Sequence, residues 1–165
     1  MLPMLQQWLD AVRRNHGLEH GTVTVLLARR GPRRLAGRAS HDGFFIVGDV
    51  DEELLLSCAR EALERMQRGE ENLAVSPLCG TNIAVTGALT TAAVMTSLGR
   101  NAGKGAGDRF GNAFTLSMIG VIAAQPLGRL VQRYLTTRAD VQGLELAGTR
   151  LIAPGVRKVY TRAAG

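Results

Sequence analysis

Two stretches of this chain carry no formal charge, and they restrict its architecture more than any other feature. No Asp, Glu, Lys or Arg occurs from Asn72 to Gly99, nor from Phe110 to Gly128. A Gly-rich basic connector, Arg100 to Arg109, lies between them. A helix needs about 20 mostly apolar residues to cross a bilayer, with a range of roughly 17–25. Ile83 to Gly99 just reaches that length, and Phe110 to Leu127 also falls within it. Both runs are rich in Gly, Ala, Thr and Ser, which let membrane helices approach closely. Pro126 is tolerable near the end of such a helix. The expectation is an apolar, membrane-spanning hairpin over residues 77–135. The competing reading is a pair of buried helices in a soluble core, which the Thr, Ser and Gly content favours.

The charges outside these runs are unevenly placed. Residues 1–71 hold 10 basic and 11 acidic groups, and residues 129–165 hold 7 and 2. Two spans put both termini on one side together with most of the Lys and Arg, so the termini are expected to be cytoplasmic. The protein is then a multi-pass protein of the cell membrane, with its basic tail against anionic lipid headgroups. Met1 to Asp10 lacks the basic start and long apolar core of a cleavable signal. A soluble protein that binds nucleic acid or a membrane surface is the third reading of the net charge of +6. No recognition motif accompanies that charge, and aromatics are 4% of residues, too few for a stacking platform. Nucleic acid is therefore not expected as a partner. Two cysteines make no disulfide scaffold.

The flanking segments read as α+β. Pro3 to Arg29 reads as a helix, with Leu5, Trp8, Leu9, Val12, Val23, Leu26 and Leu27 on one core-facing stripe. Arg33 to Ser40 and Phe44 to Val47 read as strands around the turn His41-Asp42-Gly43. Asp51 opens an amphipathic helix to Arg68, ended by Gly69. Leu73 to Val75 reads as a short strand. Leu144 to Ile152 and Val156 to Thr161 read as strands about Pro154-Gly155. The expected organisation is an N-terminal α+β segment (residues 1–76), the hairpin (77–135), and a basic strand segment (136–165) that packs back on the first. A small sheet covered by two amphipathic helices is thus joined to a two-helix hairpin.

The first helix contains His16-Gly17-Leu18-Glu19-His20. The imidazoles at i and i+4 stack one above the other, and Glu19 lies beside them. All three fall on the core-facing stripe, where ionisable groups are costly unless paired or bound to a metal. Two imidazoles at this spacing can ligate one divalent ion, with the carboxylate as fourth ligand or general base. H-x-x-E-H is also the inverted zinc-protease pattern. The alternative is a pair of core histidines bonded to Glu19 and to backbone. Cys79 stands just before the first apolar run, with Thr81 or Asn82 as the expected helix cap. A cysteine at a helix N-terminus is biased toward thiolate. His16, His20 and Cys79 with an open fourth position suit zinc better than magnesium or calcium. Read alone, Cys79 is more simply a small buried cap residue. His41 in a turn and Glu70-Glu71 at a helix end read as solvated, and Cys58 as structural.

Three blocks together resemble a known pattern: Asn15-His16-Gly17-Leu18-Glu19-His20, then Arg65 with Gly69-Glu70, then Pro77-Leu78-Cys79-Gly80-Thr81-Asn82. They resemble uncharacterised bacterial membrane families of unknown function, one of them labelled a predicted metal-dependent enzyme. Pro126-Leu127-Gly128 and Thr136-Thr137 are similar to the short-chain version. Where the labelled relatives carry H-P-x-C-G-T, this chain has Ser76 in place of the His. The resemblance links residue 16 with residue 79 and implies no substrate. The functional expectation is a membrane-anchored metal-binding protein. If catalytic, it is a zinc-dependent hydrolase with His16, His20 and Cys79 as ligands and Glu19 as base. The alternative is a non-catalytic accessory or assembly subunit of a membrane protein complex.

Overall fold

The computed structural model describes residues 2–164, which divide into two units: 2–76 with 133–164, and 77–132. The first unit opens with helix α1 (Leu2–Arg30). Strands β1 (Ala36–Ser40) and β2 (Gly43–Val47) follow, then helix α2 (Glu52–Gln67). After the second unit the chain returns as β3 (Leu144–Ala153) and β4 (Val156–Ala163). The four strands form one antiparallel sheet in the order β1-β2-β4-β3. The fold is thus mixed α and β, with the returning segment forming half of the sheet.

One face of that sheet is packed by helices. Phe44, Ile46 and Val159 point inward, against Leu18, Val25 and Leu26 of α1 and Leu55, Ala59, Ala62 and Met66 of α2. Full burial of each large side chain contributes about 1.5–3 kcal/mol. This α2 stripe is the buried face of the amphipathic helix expected there. The α1 stripe departs from expectation. Leu5, Trp8 and Leu9 are exposed, whereas residues 15 and 17–22 are buried all round the helix. Gly21 explains part of this: its missing Cβ lets Met66, Ala62 and Leu73 approach within 3.2–3.5 Å of where one would stand.

Residues 71–74 also depart from expectation. Glu71–Ala74 is a 3-10 turn, not a strand. It follows a helix terminator in which Gly69 takes φ +100° and the Glu70 N–H returns to the Arg65 carbonyl at 3.1 Å. That is a Schellman-type closure. The Arg65 and Glu70 side chains pair across it at 2.6 Å. The Arg65, Gly69 and Glu70 block is therefore the end of α2.

The second unit contains α3 (Gly80–Arg100) and α4 (Ala106–Val131), joined by a short connection. The helix α4 begins four residues before the charge-free run and takes Asp108 into its first turn. At Gly120 a Cβ would sit 3.4 Å from the Leu89 carbonyl oxygen, so the two backbones meet closely there. An amide pair joins the helix ends: Gln132 Nε2 donates to Asn82 Oδ1 at 3.0 Å, and Asn82 Nδ2 donates to the Pro77 carbonyl at 3.0 Å. Thr86, Thr90, Thr115 and Ser117 each donate to the carbonyl four residues back. Hydroxyls satisfied in this way sit readily in apolar surroundings. Both helices are long and apolar enough to cross a membrane, and only 11% of the most apolar stretch of each is buried. A π-helical stretch, Gln132–Thr136, follows α4.

Candidate metal centre

Asn15 sets the rotation of α1. Its side chain is buried and donates to the carbonyls of Ser40 and His41 at 2.9 and 3.2 Å. It also accepts from the Thr161 hydroxyl at 2.7 Å. One amide thus ties the helix to the β1–β2 turn and to β4. The next residues along the helix are thereby fixed in direction.

His16 and His20 lie one turn apart with ring centroids at 4.5 Å. The His16 Nδ1 is 2.9 Å from the Thr136 carbonyl oxygen, and the His20 Nδ1 is 2.8 Å from that of Ala74. A carbonyl only accepts, so both Nδ1 atoms donate. In the neutral rings the lone pair then sits on Nε2. Metal-ligating histidines have this arrangement, with the far nitrogen held by a backbone carbonyl. Both carbonyls come from irregular helical turns, the 3-10 turn before Val75 and the π-helical stretch after α4.

Cys79 is the cap of α3, with φ −67° and ψ 139°. Its sulfur accepts from the Thr81 N–H at 3.4 Å. The cap is therefore Cys79 itself and neither Thr81 nor Asn82; a sulfur replaces the oxygen that usually fills this position. Asn82 is buried instead in the amide pair described above. Cys79 belongs to the second unit, and His16 and His20 to the first. Imidazole and thiolate are side chains of the kinds that ligate zinc. His20 and Cys79 are buried and His16 is half-buried.

Glu19 is also buried, and its carboxylate lies against Gly37 of β1. A Cβ at residue 37 would overlap it. Ser76 is also buried. The remaining titratable candidates have other surroundings. His41 is exposed in its turn, stacked on Trp8 at 6.4 Å between ring centres. Glu70 is paired with Arg65. Cys58 belongs to the core, where burial pushes its thiol up despite the nearby Arg29 guanidinium. Sequence reasoning named the three donors, and Thr136 only within a resemblance, but not Ala74 or Gly37 or the carbonyl role of Thr136. These act through backbone or through the lack of a side chain, which leaves no chemical signature in the sequence.

Residues 11–149 match a family model described as a domain of unknown function, DUF6391. The chain belongs to the DUF6391 family. It is also 44% identical over 88 residues to an uncharacterized protein of Picosynechococcus sp., covering 48% of this chain and 43% of that protein. The chain thus spans under half the length of that relative. No solved structure matches it. The DUF6391 match runs from α1 into β3 and includes every residue of the candidate centre. The three sequence blocks had pointed to an uncharacterised family, and DUF6391 is one.

Proposed function

We propose that this chain is a membrane-anchored zinc protein, with zinc held by His16, His20 and Cys79. The observation that carries this reading is the pair of Nδ1–carbonyl bonds. Two adjacent imidazoles are each held so that Nε2 keeps its lone pair, and Cys79 offers a sulfur at a helix N-terminus. Two nitrogens and a sulfur suit zinc. Bound zinc would lower the pKa of a coordinated water toward about 7. Glu19, one residue before His20, is the group to accept that water's proton. The reaction class is then hydrolysis, with a substrate drawn from the membrane. The anchoring half of the proposal rests on α3 and α4. Core helices of soluble proteins are mostly buried, and these expose Ile83, Met95, Phe110, Phe114, Met118, Ile119 and Ile122.

Metal analysis of the purified full chain tests the site. Zinc should be retained by the wild type and lost in His16→Ala, His20→Ala and Cys79→Ser. Equal, near-zero zinc in all four would end the proposal. Catalysis has a separate test with p-nitrophenyl acetate: Glu19→Gln should keep its zinc and lose hydrolysis.

The burial of Glu19, His20 and Cys79 favours a second reading. In it the same centre is structural, and the protein is an accessory subunit of a membrane complex. Zinc retention without hydrolysis in either Glu19 form would select it.

A further inference from the structure

We infer that the first two turns of α1 form an interfacial anchor, lying in the headgroup region of the bilayer that α3 and α4 cross. This rests on the membrane reading above and adds a second, separate lipid contact to it.

Residues 3–9 are exposed, over roughly 10 Å at 1.5 Å per residue, with Trp8 stacked on the exposed His41 and still half exposed. Within them Leu5, Trp8 and Leu9 share one face, and all three are exposed together with Met4. The opposite side carries Gln6, Gln7 and Asp10. An apolar stripe with a tryptophan, set against polar residues, is the pattern of a helix lying in a membrane interface. Four exposed large apolar side chains on two turns need an occupant, and the first unit's own core does not supply one.

The chain itself says what that occupant is. The α1 segment following these turns is fastened to residues 134–138, which come directly after the second apolar helix. Arg13 Nη2 donates to the Tyr134 carbonyl at 2.7 Å. The Arg138 N–H donates to the Arg13 carbonyl at 2.9 Å, and the Arg138 guanidinium pairs with Asp10 at 2.8 Å. Tyr134 and Leu135 are themselves two-thirds exposed. Tyr134 stands three residues past the end of α4, where a span reaches the water. Trp and Tyr gather at that level of a membrane. The lone carboxylate among residues 1–18, Asp10, is paired with Arg138 and with Arg13 at 3.8 Å. The first two turns therefore present apolar and aromatic surface on a helix that is fastened to the residues directly following α4 in the chain.

Trp8 is the single tryptophan of the chain, so its fluorescence reports this segment alone. The full chain is reconstituted into vesicles of phosphatidylcholine and phosphatidylglycerol. The phosphatidylcholine is brominated either near the glycerol or near the chain ends. Flotation with the vesicles after a carbonate wash reads the hairpin independently. The expected result is flotation, blue-shifted Trp8 emission, and roughly twofold quenching by the shallow bromines with little by the deep ones. The double variant Leu5→Gln, Leu9→Gln should still float but show water-like emission. Flotation with wild-type Trp8 unquenched by bromine and open to aqueous iodide would overturn the inference and leave the membrane reading intact. Flotation with blue-shifted emission and no bromine quenching would overturn it in favour of a protein occupant, such as a second copy. Failure to float would overturn the membrane reading, and this inference with it.

Discussion

The Nδ1 of His20 stands 2.8 Å from the carbonyl oxygen of Ala74, in the 3-10 turn that follows α2. Both groups are buried, with Ala74 at 2% and His20 at 4% exposure. The bond therefore fixes the ring and at the same time satisfies a carbonyl that water cannot reach. The bond from His16 to Thr136 is similar in length, but both of its residues are half-buried. This difference separates two substitutions that look equivalent in the sequence.

His20→Ala should lower the stability of the zinc-free protein by about 1–3 kcal/mol, because it strands the Ala74 carbonyl. His16→Ala should cost less, under about 1 kcal/mol, since water can replace the ring at a half-buried carbonyl. Thermal melting in detergent with a chelator present checks the order. On the proposed zinc reading, added zinc should raise the melting temperature of the wild type and of neither variant, because only an intact site would link binding to folding.

Glu19 and Gly37 form a second coupled pair. Gly37→Ala places a methyl where the Glu19 carboxylate lies. The expected cost is about 1–3 kcal/mol, as for other overpacked sites. Glu19→Ala should relieve it, so the double variant should be more stable than the sum of the singles by roughly 0.5–3 kcal/mol. Simple additivity in melting experiments would show that the two residues do not share this space.

These pairs also mark what the sequence could and could not tell. The i,i+4 histidines and the cysteine before the apolar run were legible, because the side chains themselves carry the chemistry. The two apolar helices, both β-hairpins and the α2 stripe were legible from charge, turn residues and period. The α1 stripe was misread, because periodicity was averaged over the whole helix. Its first two turns are apolar without facing the core, while its middle is buried all round by close approach at Gly21. The cap of α3 was left between Thr81 or Asn82 and a buried Cys79, because sulfur is an uncommon helix cap, and the structure selects Cys79. Leu73 to Val75 looked like a strand because three apolar residues do not distinguish a strand from a 3-10 turn.

Gly69 is the residue through which the end of α2 leads into the turn holding His20. Its φ of +100° is one that side-chain-bearing residues rarely adopt, and a Cβ there would meet nothing within 4 Å. Gly69→Ala should therefore cost about 1 kcal/mol through backbone strain alone. The side chains across the turn add a pH dependence. The hydrogen bond from Arg65 holds the Glu70 carboxyl below its ordinary value of 4.5. The pair thus contributes above that value and is lost as pH falls through the depressed one. Glu70→Gln should be less stable than the wild type near neutral pH and indistinguishable from it in acid. A gap that persists at low pH would assign the effect to packing.

Asp42 and Lys158 form an acid-sensitive contact in the sheet. The Lys158 Nζ bonds both carboxylate oxygens at 2.7 and 2.8 Å and sits 4.8–4.9 Å from the ring centres of Phe45 and Tyr160. That hydrogen bond pulls the Asp42 carboxyl below its ordinary value of 3.8, against the opposing effect of burial. Stability from the pair is then complete above that value and disappears as pH falls through the depressed one. The Asp42 side chain remains 38% exposed. Asp42→Asn should therefore cost about 1–2 kcal/mol at neutral pH, between the values for exposed ion pairs and for buried bonds to charged groups. The two rings would still hold the ammonium, so the substitution should not unfold the sheet. Denaturation of the wild type and the variant between neutral pH and pH about 3 should show the two curves converging on acidification. Parallel curves would mean that Asp42 acts through its turn, where it also accepts from the Ser40 hydroxyl, and not through Lys158.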